Sequence, residues 1–100
     1  MNRRNDLLNV LAEQRCCFGK KFSEEEVRAV LSAIVAYYEI NDMETSDRHS
    51  MIFRTLYLDG GFRNYDKVAS AYYISTYTLD RYRQRHNRLA EKLILAQMKN

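Results

Sequence analysis

One hundred residues carry one core: the chain is too short for two and long enough to fold without disulfide or metal staples. An apolar fraction of 46% beside 29% charged residues excludes a disordered polymer, and the lack of proline with only three glycines excludes a turn-rich all-β chain, which leaves an all-α fold. The formal charge of +3 is uneven: residues 1–50 hold seven Lys/Arg against nine Asp/Glu and residues 51–100 hold nine against four, so a basic C-terminal half offers one anion-binding face on a more acidic scaffold.

The start, MNRRNDLLNVLAEQ, has only short apolar runs, unlike a secretory signal, and no stretch approaches the roughly 20 apolar residues of a membrane span. A cytoplasmic protein with no membrane partner is expected. Residues 4–18 predict helix one, with Leu7, Leu8, Val10, Leu11 and Phe18 on one stripe and Gly19 as a left-handed C-terminal cap. Cys16 and Cys17 then point about 100° apart on that helix and read as reduced packing thiols.

Ser23-Glu24-Glu25-Glu26 is a capping box, in which Ser23 takes the amide three residues on and Glu26 reaches back. Val27, Val30, Leu31, Ile34, Val35 and Tyr38 continue helix two to about Ile40, with Asn41-Asp42 as its stop. Thr45 or Ser46 caps helix three, whose Met51, Ile52, Thr55, Leu56 and Leu58 face inward until Gly60-Gly61, the one flexible joint, ends it. A short helix, a turn and a long last helix follow. The expectation is about five helices in a single domain, with residues 1–59 as scaffold and 62–100 as a C-terminal unit.

Within Tyr65 to Arg85 the spacing is specific. Asn64 caps a helix in which Val68, Ala69 and Tyr72 point inward, Tyr73-Ile74-Ser75 turns, and Ser75 or Thr76 caps the next helix, whose Leu79 and Tyr82 face the core. Two steeply crossing helices need a small residue at the crossing, here Ala69, and apolar anchors in the turn and second helix, here Ile74 and Leu79.

The run VASAYYISTYTLDRY resembles the helix-turn-helix of bacterial transcription regulators, whose usual wording is apolar-Ala-x-x-apolar-Gly-apolar-Ser-x-x-Thr-apolar-x-x-aromatic. The match covers about a fifth of the chain, and it departs at Tyr73, where the family has a left-handed glycine and a tyrosine costs about 1 kcal/mol. The plan of acidic capped helices, a GGF segment and a C-terminal helix-turn-helix is similar to the short phage-type, ArpU and RinA-like regulators of Gram-positive bacteria. That resemblance implies a bacterial or phage-infected cytoplasm and a transcriptional regulator of double-stranded DNA.

It further implies base contacts from Thr76, Tyr77, Asp80, Arg81 and Gln84 in the major groove, with Arg81 on guanine and Asp80 on cytosine or orienting Arg81. Phosphate contacts would come from Arg63, Asn64, Tyr65, Lys67, Ser75, Arg83, Arg85 and Arg88. The run RYRQRHNR taken alone equally describes a solvated helix face.

Leu79, Tyr82, His86, Leu89, Leu93 and Ala96 alternate three and four apart. Either helices one and two cover this seam, or Leu89, Leu93, Ile94 and Met98 pair with a second subunit. The latter suits a helix of about 35 Å and a two-fold operator. His49 and His86 stand alone in sequence, so packing and not metal ligation is expected. No nucleophile motif, phosphate loop or metal cluster is present, hence no enzyme and no cofactor. The alternative function is a protein-binding inhibitor or adaptor of a mobile element, with RNA polymerase or another host protein as partner.

Overall fold

Asp6 enters in extended conformation and its carboxylate accepts the Asn9 amide at 3.1 Å, which starts α1 (Leu7–Gln14). The computed structural model describes residues 6–98. The first two positions of the expected helix one, Arg4 and Asn5, lie outside that range. At its other end α1 stops four residues before the expected glycine cap. Arg15 takes the left-handed position at φ 55° and donates its N–H to Leu11 O.

Cys16 and Cys17 are therefore not helical. They form β1 (Cys16–Cys17), paired antiparallel with β2 (Lys20–Lys21) in the register Cys16–Lys21 and Cys17–Lys20, and both thiols are free. Phe18 at φ 52° and Gly19 at φ 75° turn the hairpin. Two consecutive positive φ values give the turn that matches strand twist, and Gly19 serves it rather than a helix end.

Ser23 starts α2 (Glu24–Thr45) through the full capping box, its hydroxyl accepting the Glu26 amide and the Glu26 carboxylate accepting the Ser23 amide, both at 3.1 Å. The expected stripe from Val27 to Tyr38 is buried. The helix runs on past Asn41-Asp42 to Thr45, because Asp42 has a different task. Its carboxylate accepts the His49 amide at 3.1 Å and the Ser50 amide and hydroxyl at 2.8 Å, and so caps α3 (His49–Phe53) from a neighbouring helix. Neither Thr45 nor Ser46 caps it; Ser46 is the left-handed end of α2.

α3 widens into one π-helical turn, Arg54–Leu58. The wider turn changes the register, so Ile52, Phe53, Leu56 and Tyr57 are buried while Met51 and Leu58, expected inside, are exposed. Gly61 is no hinge: a Cβ there would lie 2.4 Å from the Thr55 carbonyl, so the position admits only hydrogen. A 3-10 turn (Gly61–Asn64) leads into α4 (Tyr65–Ala71), which Asn64 enters without a side-chain cap. α5 (Thr76–Met98) completes an all-α fold of five helices among the described residues, with the small hairpin as its one sheet.

α5 is the centre of the core and not an appendage. Leu79, His86, Ala90 and Ile94 point into one cluster with Leu8 and Leu11 of α1, Phe22, Ile34 of α2, and Phe53 and Leu56. Helices α1, α2, α3 and α4 all pack against it. The expected seam is thus covered largely within the chain. Ile94, expected to face a second subunit, is fully buried, and Leu89 and Leu93 are half-buried against the same core. On the last turns Leu95 and Met98 stay exposed. No described helix is long and apolar enough to cross a membrane.

Candidate nucleic-acid interface

α4 and α5 are joined by residues 72–75, where the amides of Tyr72, Tyr73 and Ile74 return to the carbonyls of Val68, Ser70 and Ala69 at 3.2, 3.1 and 3.0 Å. Tyr73 is left-handed at φ 57° with its ring 95% exposed, so the chain accepts the conformation usually given to glycine. Ile74 folds back onto the core beside buried Ala69 and Leu79. Ser75 starts α5: its hydroxyl oxygen accepts the Thr78 amide at 3.1 Å and its O–H donates to Thr78 Oγ1.

With Leu79, Arg83, His86 and Ala90 held in the interior, the 3.6-residue period turns the opposite face outward. Tyr77, Arg81, Gln84, Arg85 and Arg88 are exposed there, Tyr77 at 71%, and Thr76 is exposed as the first residue of the helix. Lys67 on α4, Arg63 and Asn64 before it, and Ser75 in the turn are exposed as well. Arg63 pairs with Glu13 at 3.3 Å.

Three expected contact residues face elsewhere. Asp80 accepts a short hydrogen bond from the Tyr65 hydroxyl and lies 3.8 Å from Arg83 Nε, so it orients Arg83 and not Arg81, and its carboxylate is committed. Tyr65 is buried, and burial with the neighbouring Asp80 carboxylate pushes its hydroxyl pKa up, so it remains a donor. Arg83 is 3% exposed and cannot reach a phosphate: its Nη1 donates to Asp6 Oδ2 at 2.6 Å.

The network that claims Arg83 joins residues too far apart in the chain for any local pattern to signal it. Asp6 Oδ2 also accepts the Tyr57 hydroxyl and Asn87 Nδ2, each at 2.9 Å, while Asn87 Oδ1 accepts the Leu8 amide at 2.9 Å. The start of α1 is thereby tied to the middle of α5 across 77 residues of chain. Such pairing is the condition on which a charge is buried at all.

The two histidines, solitary in sequence, meet in space. His49 Nδ1 and His86 Nε2 are 3.2 Å apart within a cage of Tyr38, Phe53, Tyr57 and Tyr82 rings. Burial, then the neighbouring His49, pushes the His86 pKa down to about 3, and burial also lowers that of His49, so both are neutral at pH 7. Among the described residues no three His, Cys, Asp or Glu side chains gather as a metal would need.

Charge pairing separates the cations into two groups. Lys20, Arg28, Arg54, Arg63 and Arg83 each reach a carboxylate, whereas Arg15, Lys21, Arg48, Lys67, Arg81, Arg85, Arg88 and Lys92 make no ion pair among the described residues. Four of the unpaired cations, Arg81, Arg85, Arg88 and Lys92, stand together on α5. Compared with models of protein families, with curated proteins and with solved structures, the chain finds no match.

Proposed function

We propose that this chain is a sequence-specific DNA-binding transcriptional regulator in which α4, the turn at 72–75 and α5 act as a helix-turn-helix and the first half of α5 enters the major groove. One observation carries the reading: after a turn with a left-handed second residue, α5 exposes Thr76 at its first position and Tyr77, Arg81, Gln84, Arg85 and Arg88 on one face while its other face forms the core. A helix so anchored presents its side chains with little freedom to move, which base readout requires. Arg81 remains the side chain for guanine, and Lys67, Arg85 and Arg88 the phosphate contacts. The free thiols of Cys16 and Cys17 fit a reducing, cytoplasmic setting.

The test is selection of bound sequences from a random duplex library, followed by titration of the selected duplex against salt. A DNA reader loses affinity steeply with salt, and Arg81→Ala relaxes the preference at one position, at a cost of about 1–3 kcal/mol on the best site. No enrichment, or affinity indifferent to salt, overturns the reading.

A second reading, a protein-binding adaptor on the same scaffold, is favoured by the outward face of α2, where Tyr37, Ile40 and Met43 are exposed, Met43 at 86%. Ile40→Asp with Met43→Asp separates the two: the double variant leaves duplex affinity unchanged for a DNA reader and abolishes activity for an adaptor.

A further inference from the structure

A cleft lies between the C-terminal half of α2 and α5 as two neighbouring hollows of about 230 and 400 Å³ that share Asp47, His49 and Arg85 as walls. Its size is that of a small-ligand site. Neutral His49 forms part of it, with the aromatic cage behind. The smaller hollow adds Thr78, Arg81 and Tyr82; the larger adds Tyr37, Asn41, Leu89 and the cations Arg88 and Lys92.

Arg81, Arg85, Arg88 and Lys92 recur at intervals of four, three and four along α5, which keeps them on one stripe. Lys20, Arg28, Arg54 and Arg63 are each neutralised by a nearby glutamate, at 2.6 to 3.3 Å. On α5 four cations without an ion pair among the described residues stand around a concavity with rings and the Asn41 amide in its wall. A solvated face needs the charges alone, and the concavity and rings add a second kind of recognition.

We propose that the cleft binds a free mononucleotide. The phosphate sits in the smaller hollow between Arg81 and Arg85, with the Thr78 hydroxyl as a third donor, since Thr78 Oγ1 accepts from Ser75 and keeps its own proton to give. The base lies in the larger hollow against the exposed ring of Tyr37 and the side chain of Leu89. Asn41 takes the polar edge of the base or a ribose hydroxyl; Asp47, the one carboxylate lining the cleft, borders both hollows, so Arg81 and Arg85 must outweigh it where the phosphate sits. Because Arg81 and Arg85 also belong to the proposed DNA face, an occupied cleft competes with duplex, a consequence that rests on the DNA-binding reading whereas the site itself does not.

Calorimetric titration of the full chain with AMP, GMP, CMP and UMP, the four parent nucleosides and inorganic phosphate tests the site. At least one nucleotide is expected to bind one to one, at least tenfold more tightly than both its nucleoside and inorganic phosphate. Arg85→Ala and Tyr37→Ala, both at exposed positions, each weaken it at least tenfold, while Arg28→Ala on the far part of α2 leaves it unchanged. Nucleotides that bind no better than inorganic phosphate, or equally well to the Tyr37 and Arg85 variants, overturn the proposal. Nucleotide binding without any duplex binding leaves this site standing and removes the DNA reading, and duplex binding without nucleotide binding does the reverse.

Discussion

At position 83 a guanidinium is committed to a buried carboxylate, and two residues away another is exposed to solvent. Their substitution should separate stability from recognition. Arg83→Met leaves Asp6 ionised in the interior beside Tyr57 and Asn87, and breaking a buried pair from one side costs about 3–5 kcal/mol. Arg81→Ala removes an exposed side chain and should stay within about 0.5 kcal/mol of the parent. Urea unfolding of the two variants checks both values. The histidine pair adds a pH dependence of known sign. Unfolded, His86 takes a proton near its ordinary 6.5; folded, it resists until about pH 3. The unfolded state therefore binds more protons below pH 6.5, and the fold, fully favoured above that value, loses stability as pH falls through this window. His86 alone should remove about 2 kcal/mol between pH 7 and pH 5. In His86→Phe the unfolding free energy should vary less over that interval, whatever its absolute value, and an unchanged slope would refute the assignment.

Among the elements, the turn at 72–75 holds a local conflict. Tyr73 adopts a left-handed backbone and its ring touches little, at 95% exposure, so the strain has no visible packing return. Tyr73→Gly should therefore raise the unfolding free energy, by about 0.5–1 kcal/mol, with the fold unchanged by circular dichroism. The conflict was legible in sequence because the flanking Ala69, Ile74 and Leu79 fix the turn's place. So was the start of α2, whose capping box is complete within four residues. What escaped was whatever depends on residues far apart. Asp42 reads as a helix stop until α3 is seen to hang from its carboxylate, and Arg83 reads as one more exposed arginine until Asp6 is brought beside it. The hairpin was missed for a different reason: Phe18 is a poor residue for positive φ, and Gly19 next to it suits a helix end equally well.

At the scale of the whole molecule, one helix is both the centre of the core and the bearer of a stripe of four cations, Arg81, Arg85, Arg88 and Lys92, without an ion pair among the described residues. Several of the scaffold's acidic groups serve its own caps and pairs, as with Ser23 and Glu26, Asp42 on α3, and Glu39 with Arg54 at 2.6 Å. Along α5 no such pairing reaches Arg81, Arg85, Arg88 or Lys92 among the described residues, and their charges stand together on one stripe. An anionic partner approaching from that side meets cations whose supporting helix is fixed from four directions by α1, α2, α3 and α4. For the proposed DNA reader this makes the electrostatic contributions separable. Arg88→Ala removes one phosphate contact and should lower the slope of log affinity against log salt by about 1, equally on specific and random duplex. Arg28→Ala, a cation already paired with Glu24 at 2.8 Å and carried by α2, should leave the slope where it was. Equal effects from both variants would mean that the response follows net charge alone and that the exposed face of α5 has no special part in it.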